Sequence, residues 1–174
     1  MPIEGSKRPV AAERVAATAR RLLRASTLCA IATVTPAARA HVNTAYFAWT
    51  DGFDLVWLSD PSATHSRNLR ANPSVAIAVH DSSQTWGGSD RGIQLFGSAR
   101  ELPDRLAGEA ERAYRRRFST YRSDDVAGYR FYRLRTRRIK LFDERTFGAG
   151  VFVTATVRGG GAVVWDRTDI HRPT

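Results

Sequence analysis

Cysteine is nearly missing: Cys29 stands alone, which excludes an internal disulfide and a cysteine-rich metal site. The four histidines, His41, His65, His80 and His171, include no i, i+4 pair and no HExxH, so their spacing builds no metal site. No Gly-x-Ser-x-Gly elbow is present. No Gly-x-Gly-x-x-Gly opens a helix; GGSDRG is not one, and RGGG reads as a hairpin turn. No apolar run approaches the roughly 20 residues of a membrane helix. The N-terminal MPIEGSKRPVAAERVAATARR lacks the apolar segment of a secretory signal, so a cytoplasmic protein with no membrane partner is expected. Lysine is scarce too, with Lys7 and Lys140 alone among 27 basic residues.

What remains is ordinary globular composition, 43% apolar and 25% charged over 174 residues. A domain of that size hides roughly 70% of its unfolded surface and needs no staple. The net charge of +10 invites a nucleic-acid partner. Arginine replaces lysine along the whole chain, however, which reads as compositional bias rather than a site.

Residues 10–25 are rich in alanine, leucine and arginine and place Val15, Ala19, Leu22 and Leu23 on one helical face. Pro9 suits the first turn of that helix. Short β-branched runs follow at 27–35, 40–50 and 53–59, the last two joined at Asp51-Gly52, a hairpin signal. A helix is expected over 61–71, capped by Asp60 and ended by Asn72-Pro73. Strands follow at 74–81 and 91–102, where Gly97 marks a bulge or a close backbone approach. Pro103 opens a helix with early acids and late arginines. Strands are expected again at 129–143, 151–157 and 162–166. The pattern divides the chain into an N-terminal helix (1–26), a β-barrel domain (27–167) and a loose tail (168–174).

The stretch LSDPSATHSRNLRANPSV (58–75) gathers Ser59, Thr64, His65 and Arg67 where a strand ends and a helix begins. Helix N-termini present free N–H groups, so this is either a capped surface helix or an anion site. No catalytic acid, base or nucleophile is assigned; an enzyme made from this chain borrows its chemistry from a cofactor.

From Thr27 to Leu102 the chain resembles the flavin-binding split barrels related to pyridoxamine 5′-phosphate oxidase. The segments AYFAWTDGFDLVWLSD, THSRNLRANPSVAIAV and RGIQLFGSAREL occur in the family's order. RGIQLFG, AERAYRRRF and IKLFDERTFGAG extend the likeness to a small bacterial branch, as far as Gly150. The resemblance implies a mainly β (α+β) fold, an antiparallel split β-barrel of six or seven strands with flanking helices. It further implies a homodimeric, FMN-binding, flavin-dependent oxidoreductase with the cofactor at the subunit interface and a small-molecule substrate.

Carried over residue by residue, Ser59 falls at a phosphate-contacting hydroxyl and His65 at a family lysine. Thr64 falls where the family has arginine, and Asn43 where the vitamin-B6 oxidases have another. Arg67 and Arg91 are the cations left to compensate. Gln94 is placed at the isoalloxazine edge, and Trp86 either stacks on a ring or covers the core from its loop. The ending AVVWDRTDIHRPT lacks the arginine-leucine-proline of the vitamin-B6 oxidases, so that activity is not expected. Related split barrels bind F420 or haem, the latter needing His41, His80 or His171 as axial ligand. The non-enzymatic alternative is a basic nucleic-acid-binding β-barrel that stacks bases on YRFYRLR. The plain reading of residues 130–140 is a solvated, arginine-rich strand face.

Overall fold

A computed structural model describes residues 3–6 and 9–171. Among the described residues nine strands and four α-helices follow one another: β1 (Ile3–Ser6), α1 (Ala12–Arg24), β2 (Leu28–Val34), β3 (Ala40–Trp49), β4 (Leu55–Ser59), α2 (Thr64–Ala71), β5 (Ser74–His80), β6 (Arg91–Glu101), α3 (Asp104–Arg117), β7 (Arg130–Asp143), α4 (Glu144–Phe147), β8 (Val151–Val157) and β9 (Val163–His171). The sheet order is β1-β9-β8-β7-β4-β3-β2-β5-β6, and β6 also pairs with β7. The six strands from β7 to β6 therefore close an antiparallel barrel, as the sequence implied. No described helix is long and apolar enough to cross a membrane.

The described chain forms two compact units. One holds Thr27–Ile77 and Phe96–Thr136; the other holds the stretch through Ser26, Ala78–Leu95, and Arg137 onward. In the first unit β2 pairs with β3 from Leu28↔Tyr46 to Val34↔Ala40, and β4 pairs with both β3 and β7. Its core includes Phe47, Leu55, Trp57, Tyr132 and Leu134, none of them exposed. Trp57 and Tyr132 stack with centroids 5.8 Å apart. Gly97 is indeed a close approach: a Cβ there would run into the Arg135 carbonyl on β7. The β3–β4 turn departs from a simple Asp51-Gly52 hairpin. Phe53 N–H donates to the Thr50 carbonyl (3.0 Å), and it is Phe53, not Gly52, that takes positive φ (66°) with its ring fully buried.

In the second unit α1 buries Val15, Ala19, Leu22 and Leu23, as its spacing predicts, together with Thr18. It starts at Ala12, beyond Pro9, because Ala11 is still extended (ψ 134°). Residues 1–26 are not only helical: Ile3–Ser6 is a strand, paired from Ile3↔His171 to Ser6↔Thr168. The expected loose tail is likewise corrected. Thr168–His171 continues β9 between β8 and β1, and His171 N–H donates to the Gly150 carbonyl (2.9 Å); residues 172–174 lie outside those described. Backbone bonding holds this strand, so its polar sequence RTDIH carries no alternation by which to read it.

Candidate functional site

Strand β4 ends on Ser59, and the chain then turns rather than entering a helix at once. Asp60 holds that turn, accepting at its carboxylate from Ser62 N–H (2.7 Å) and at its carbonyl from Ala63 N–H (3.1 Å). The residue expected to cap the helix thus closes a turn, and α2 begins at Thr64 after an extended Ala63. The buried face of α2 is mostly polar: His65, Ser66 and Asn68 beside Leu69. Buried polar groups need partners, and these have them. Ser59 Oγ lies 2.6 Å from His65 Nε2, Ser66 Oγ donates to the Asp60 carbonyl (2.8 Å), and Asn68 Nδ2 donates to Thr33 Oγ1 (3.0 Å).

Burial lowers the His65 pKa below its ordinary 6.5, with the charge of His41 adding to the shift. The folded protein therefore prefers neutral His65, and the unfolded chain binds its proton first as pH falls. Stability should be full above pH 6.5 and decline on acidification through 6.5 toward the folded-state pKa. Thermal melts of wild type and His65→Gln across pH 7.5 to 5 test this. A wild-type decline that His65→Gln does not reduce removes His65 as its source.

Beside this pair lies a cavity of ≈ 710 Å³ within the same compact unit. That is ample for a cofactor-sized ligand, whose pockets span roughly 300–1,000 Å³. Asn43, Ser59 and His65 give it a polar side. Tyr46, Tyr114, Phe118, Tyr121 and Tyr129 give it an aromatic one. The rings brace one another: Tyr114 and Phe118 are 4.8 Å apart, Tyr114 and Tyr121 5.5 Å, and Tyr46 meets Phe118 edge-on at 5.9 Å. Tyr114 Oη donates to the Tyr46 carbonyl (3.0 Å), and burial raises its pKa, so the phenol stays protonated. Asn43 Oδ1 is buried without a hydrogen-bond partner, an acceptor left for something in the cavity.

Three of the eight expected site residues, Asn43, Ser59 and His65, thus meet at one cavity. Thr64 and Arg67 sit on α2 beside it: the Arg67 guanidinium is folded back onto the Ser62 carbonyl and Thr64 Oγ1. Arg91, Gln94 and Trp86 belong to the other compact unit. Arg91 is ion-paired with Asp81 (3.0 Å), and Gln94 is half-buried on β6. Trp86 is 101% exposed and covers no core.

The aromatic wall carries a weak sequence signal: Phe118, the residue just past α3, stands four positions after Tyr114, a spacing that sets rings near one another. Of the aromatics in YRFYRLR, Phe131 and Tyr132 are buried in the core, and Tyr129 is the one exposed. Nor is 130–140 a uniformly solvated face. Arg135, Arg137 and Arg138 are exposed, but Arg133 is only 15% exposed and Lys140 lies over the Phe152 ring at 4.7 Å.

The pyridoxamine 5′-phosphate oxidase family model matches residues 15–143, most of the chain. The chain belongs to this family. No curated protein matches it. Among solved structures of similar fold is a haem-binding protein from Mycobacterium smegmatis, 23% identical with TM-score 0.66, where the match covers 87% of this chain and 60% of that one. An F420 reductase is 25% identical with TM-score 0.54, covering 69% and 94%. An FAD-binding protein from Mesorhizobium loti is 20% identical with TM-score 0.58, covering 82% and 97%. Against the family's flavin, the residues of this pyridoxamine 5′-phosphate oxidase-family chain divide. The aromatic side and the orphaned Asn43 acceptor fit a planar heteroaromatic ring. A phosphate finds the Ser59 hydroxyl and the start of α2, but no arginine or lysine among the lining residues, where Asp60 stands instead.

Proposed function

We propose that the chain is an FMN-binding flavoprotein and oxidoreductase, acting on a small molecule in the cytoplasm, with the flavin ring in the cavity beside Ser59 and His65. The observation that carries this reading is a cavity with one aromatic side and one polar side that includes an unpaired buried acceptor, Asn43 Oδ1. Bound flavin would supply hydride or electron transfer, which leaves the Ser59–His65 pair the task of holding the cofactor. Asn43 Oδ1 would accept from the bound ring, Ser59 and neutral His65 would hold its polar groups, and the tyrosines would shield it from water. The FAD-binding and F420-reducing proteins of like fold support a redox cofactor here. The haem-binding neighbour supports haem as second reading.

A second copy of the chain completes this reading. Leu28 and Tyr46 are exposed register partners on β2 and β3, and Val42 is exposed on the same strand as Tyr46. That apolar strip beside the cavity fits a homodimer with the cofactor at its interface.

The test is titration with FMN, F420 and haem, followed by flavin fluorescence, the haem Soret band and the melting temperature, with light scattering for mass. FMN should quench and raise the melting temperature, and Asn43→Ala should weaken it. Riboflavin should bind nearly as tightly as FMN, because no cation lines the cavity. Unchanged flavin fluorescence together with a Soret band would overturn FMN in favour of haem, and a monomeric mass would remove the dimer.

A further inference from the structure

A second concavity, of ≈ 670 Å³, lies in the same compact unit between the start of α3 and the strands β6 and β7. Its charge is lopsided. Arg100, Arg105, Arg112, Arg133 and Arg135 line it against Glu101 and Glu109. Both carboxylates are engaged: Glu101 accepts from Tyr132 Oη (3.0 Å), and Glu109 pairs with Arg133 (2.7 Å). Among the described residues no ion pair ties Arg100, Arg105, Arg112 or Arg135. Arg133 Nε is buried with no acceptor even though its Nη2 has one. Like charges gathered around one concave site repel one another, and an anion placed there relieves them all at once.

We propose that this cleft is a binding site for a compact polyanion, a small molecule carrying two or more phosphate groups, independent of the aromatic cavity. Guanidinium forks match phosphate oxygens in pairs, and five of them around one cleft serve several phosphates rather than one. The apolar lining is Leu102, Pro103 and Leu106, with no aromatic face on which a base could stack, so the cleft selects a compact anion over single-stranded nucleic acid. Exposed Glu109 holds Arg133 as an internal stand-in for the ligand, and the arriving anion displaces it.

Calorimetric titration of the full chain with inorganic triphosphate and with orthophosphate tests the site. Triphosphate should bind at least about tenfold more tightly than orthophosphate, and salt should weaken it. Arg112→Gln with Arg135→Gln should lose at least about tenfold in affinity, since two charge-assisted contacts go. Arg137→Gln with Arg158→Gln removes the same net charge outside the cleft and should change little. Glu109→Gln should strengthen binding by freeing Arg133. Equal losses in both double variants, or triphosphate no tighter than orthophosphate, would overturn the site. So would binding of a single-stranded oligonucleotide without binding of triphosphate.

Discussion

Gly97→Ala should destabilise the protein by about 3 kcal/mol, the upper end of overpacking costs, although it adds a single methyl group. That methyl would overlap the carbonyl oxygen of Arg135 and press on Leu134 Cδ1 at 3.1 Å. Neither neighbour can yield cheaply: one is backbone of the paired strand β7, and the other is a fully buried side chain. The β6–β7 pairing closes the barrel, so the damage falls on the joint that makes the sheet a ring. For a chain of this length about 3 kcal/mol corresponds to a melting temperature lower by roughly 6–12 °C. Gly159→Ala is the matched control, because a Cβ there meets nothing within 4 Å. If the two variants melt together, the close approach at Gly97 does not constrain the barrel.

Asp143→Ala should cost a comparable amount, about 2–3 kcal/mol, by removing two bonds at once. This carboxylate is 2% exposed. It accepts from Arg21 of α1 (2.6 Å) and from the Thr146 N–H at the start of α4 (3.0 Å). It therefore pins a helix distant in sequence and caps a one-turn helix with the same group. Arg21 is 57% exposed and regains water when released, which keeps the cost below that of a fully buried pair. Arg21→Ala leaves the buried carboxylate, among the described residues, with the Thr146 N–H as its hydrogen-bond donor and should cost about 2 kcal/mol. Adding Arg21→Ala to Asp143→Ala should then cost less than about 0.5 kcal/mol, since the shared contact is already gone and only the exposed bond from Arg21 to Thr146 Oγ1 (2.6 Å) is left to lose. Additive losses in denaturant melts would show that the two residues act separately.

These two positions also mark where the sequence was readable. Gly97 stood out because glycine inside a strand pattern needs a reason, and the reason proved to be the neighbouring backbone. Barrel strands with one buried face announced themselves by alternation, as Val75, Ile77 and Val79 do on β5. Asp143 gave no such signal, because its value lies in a partner 122 residues away. The pairing of β1 with β9 was equally silent, since an edge strand such as β1, bonded by backbone, needs no apolar code. At the site, Ser59 and His65 were found together because they are neighbours in sequence across one turn. Arg67 was expected to serve the ligand, but its guanidinium is taken by its own helix start. The aromatic side joins rings from β3, α3 and the loop after it, an assembly that only the fold creates.

The β3–β4 turn bears on the order of folding. A bulky residue at positive φ costs about 1–2 kcal/mol, and at Phe53 that cost is offset once the ring is enclosed. Before the core exists, the local Thr50–Phe53 hydrogen bond is set against this backbone cost with no burial to offset it. The hairpin is therefore expected to follow the core rather than nucleate it, its turn becoming stable once Phe53 is enclosed. Substitutions in this turn should therefore speed unfolding far more than they slow folding.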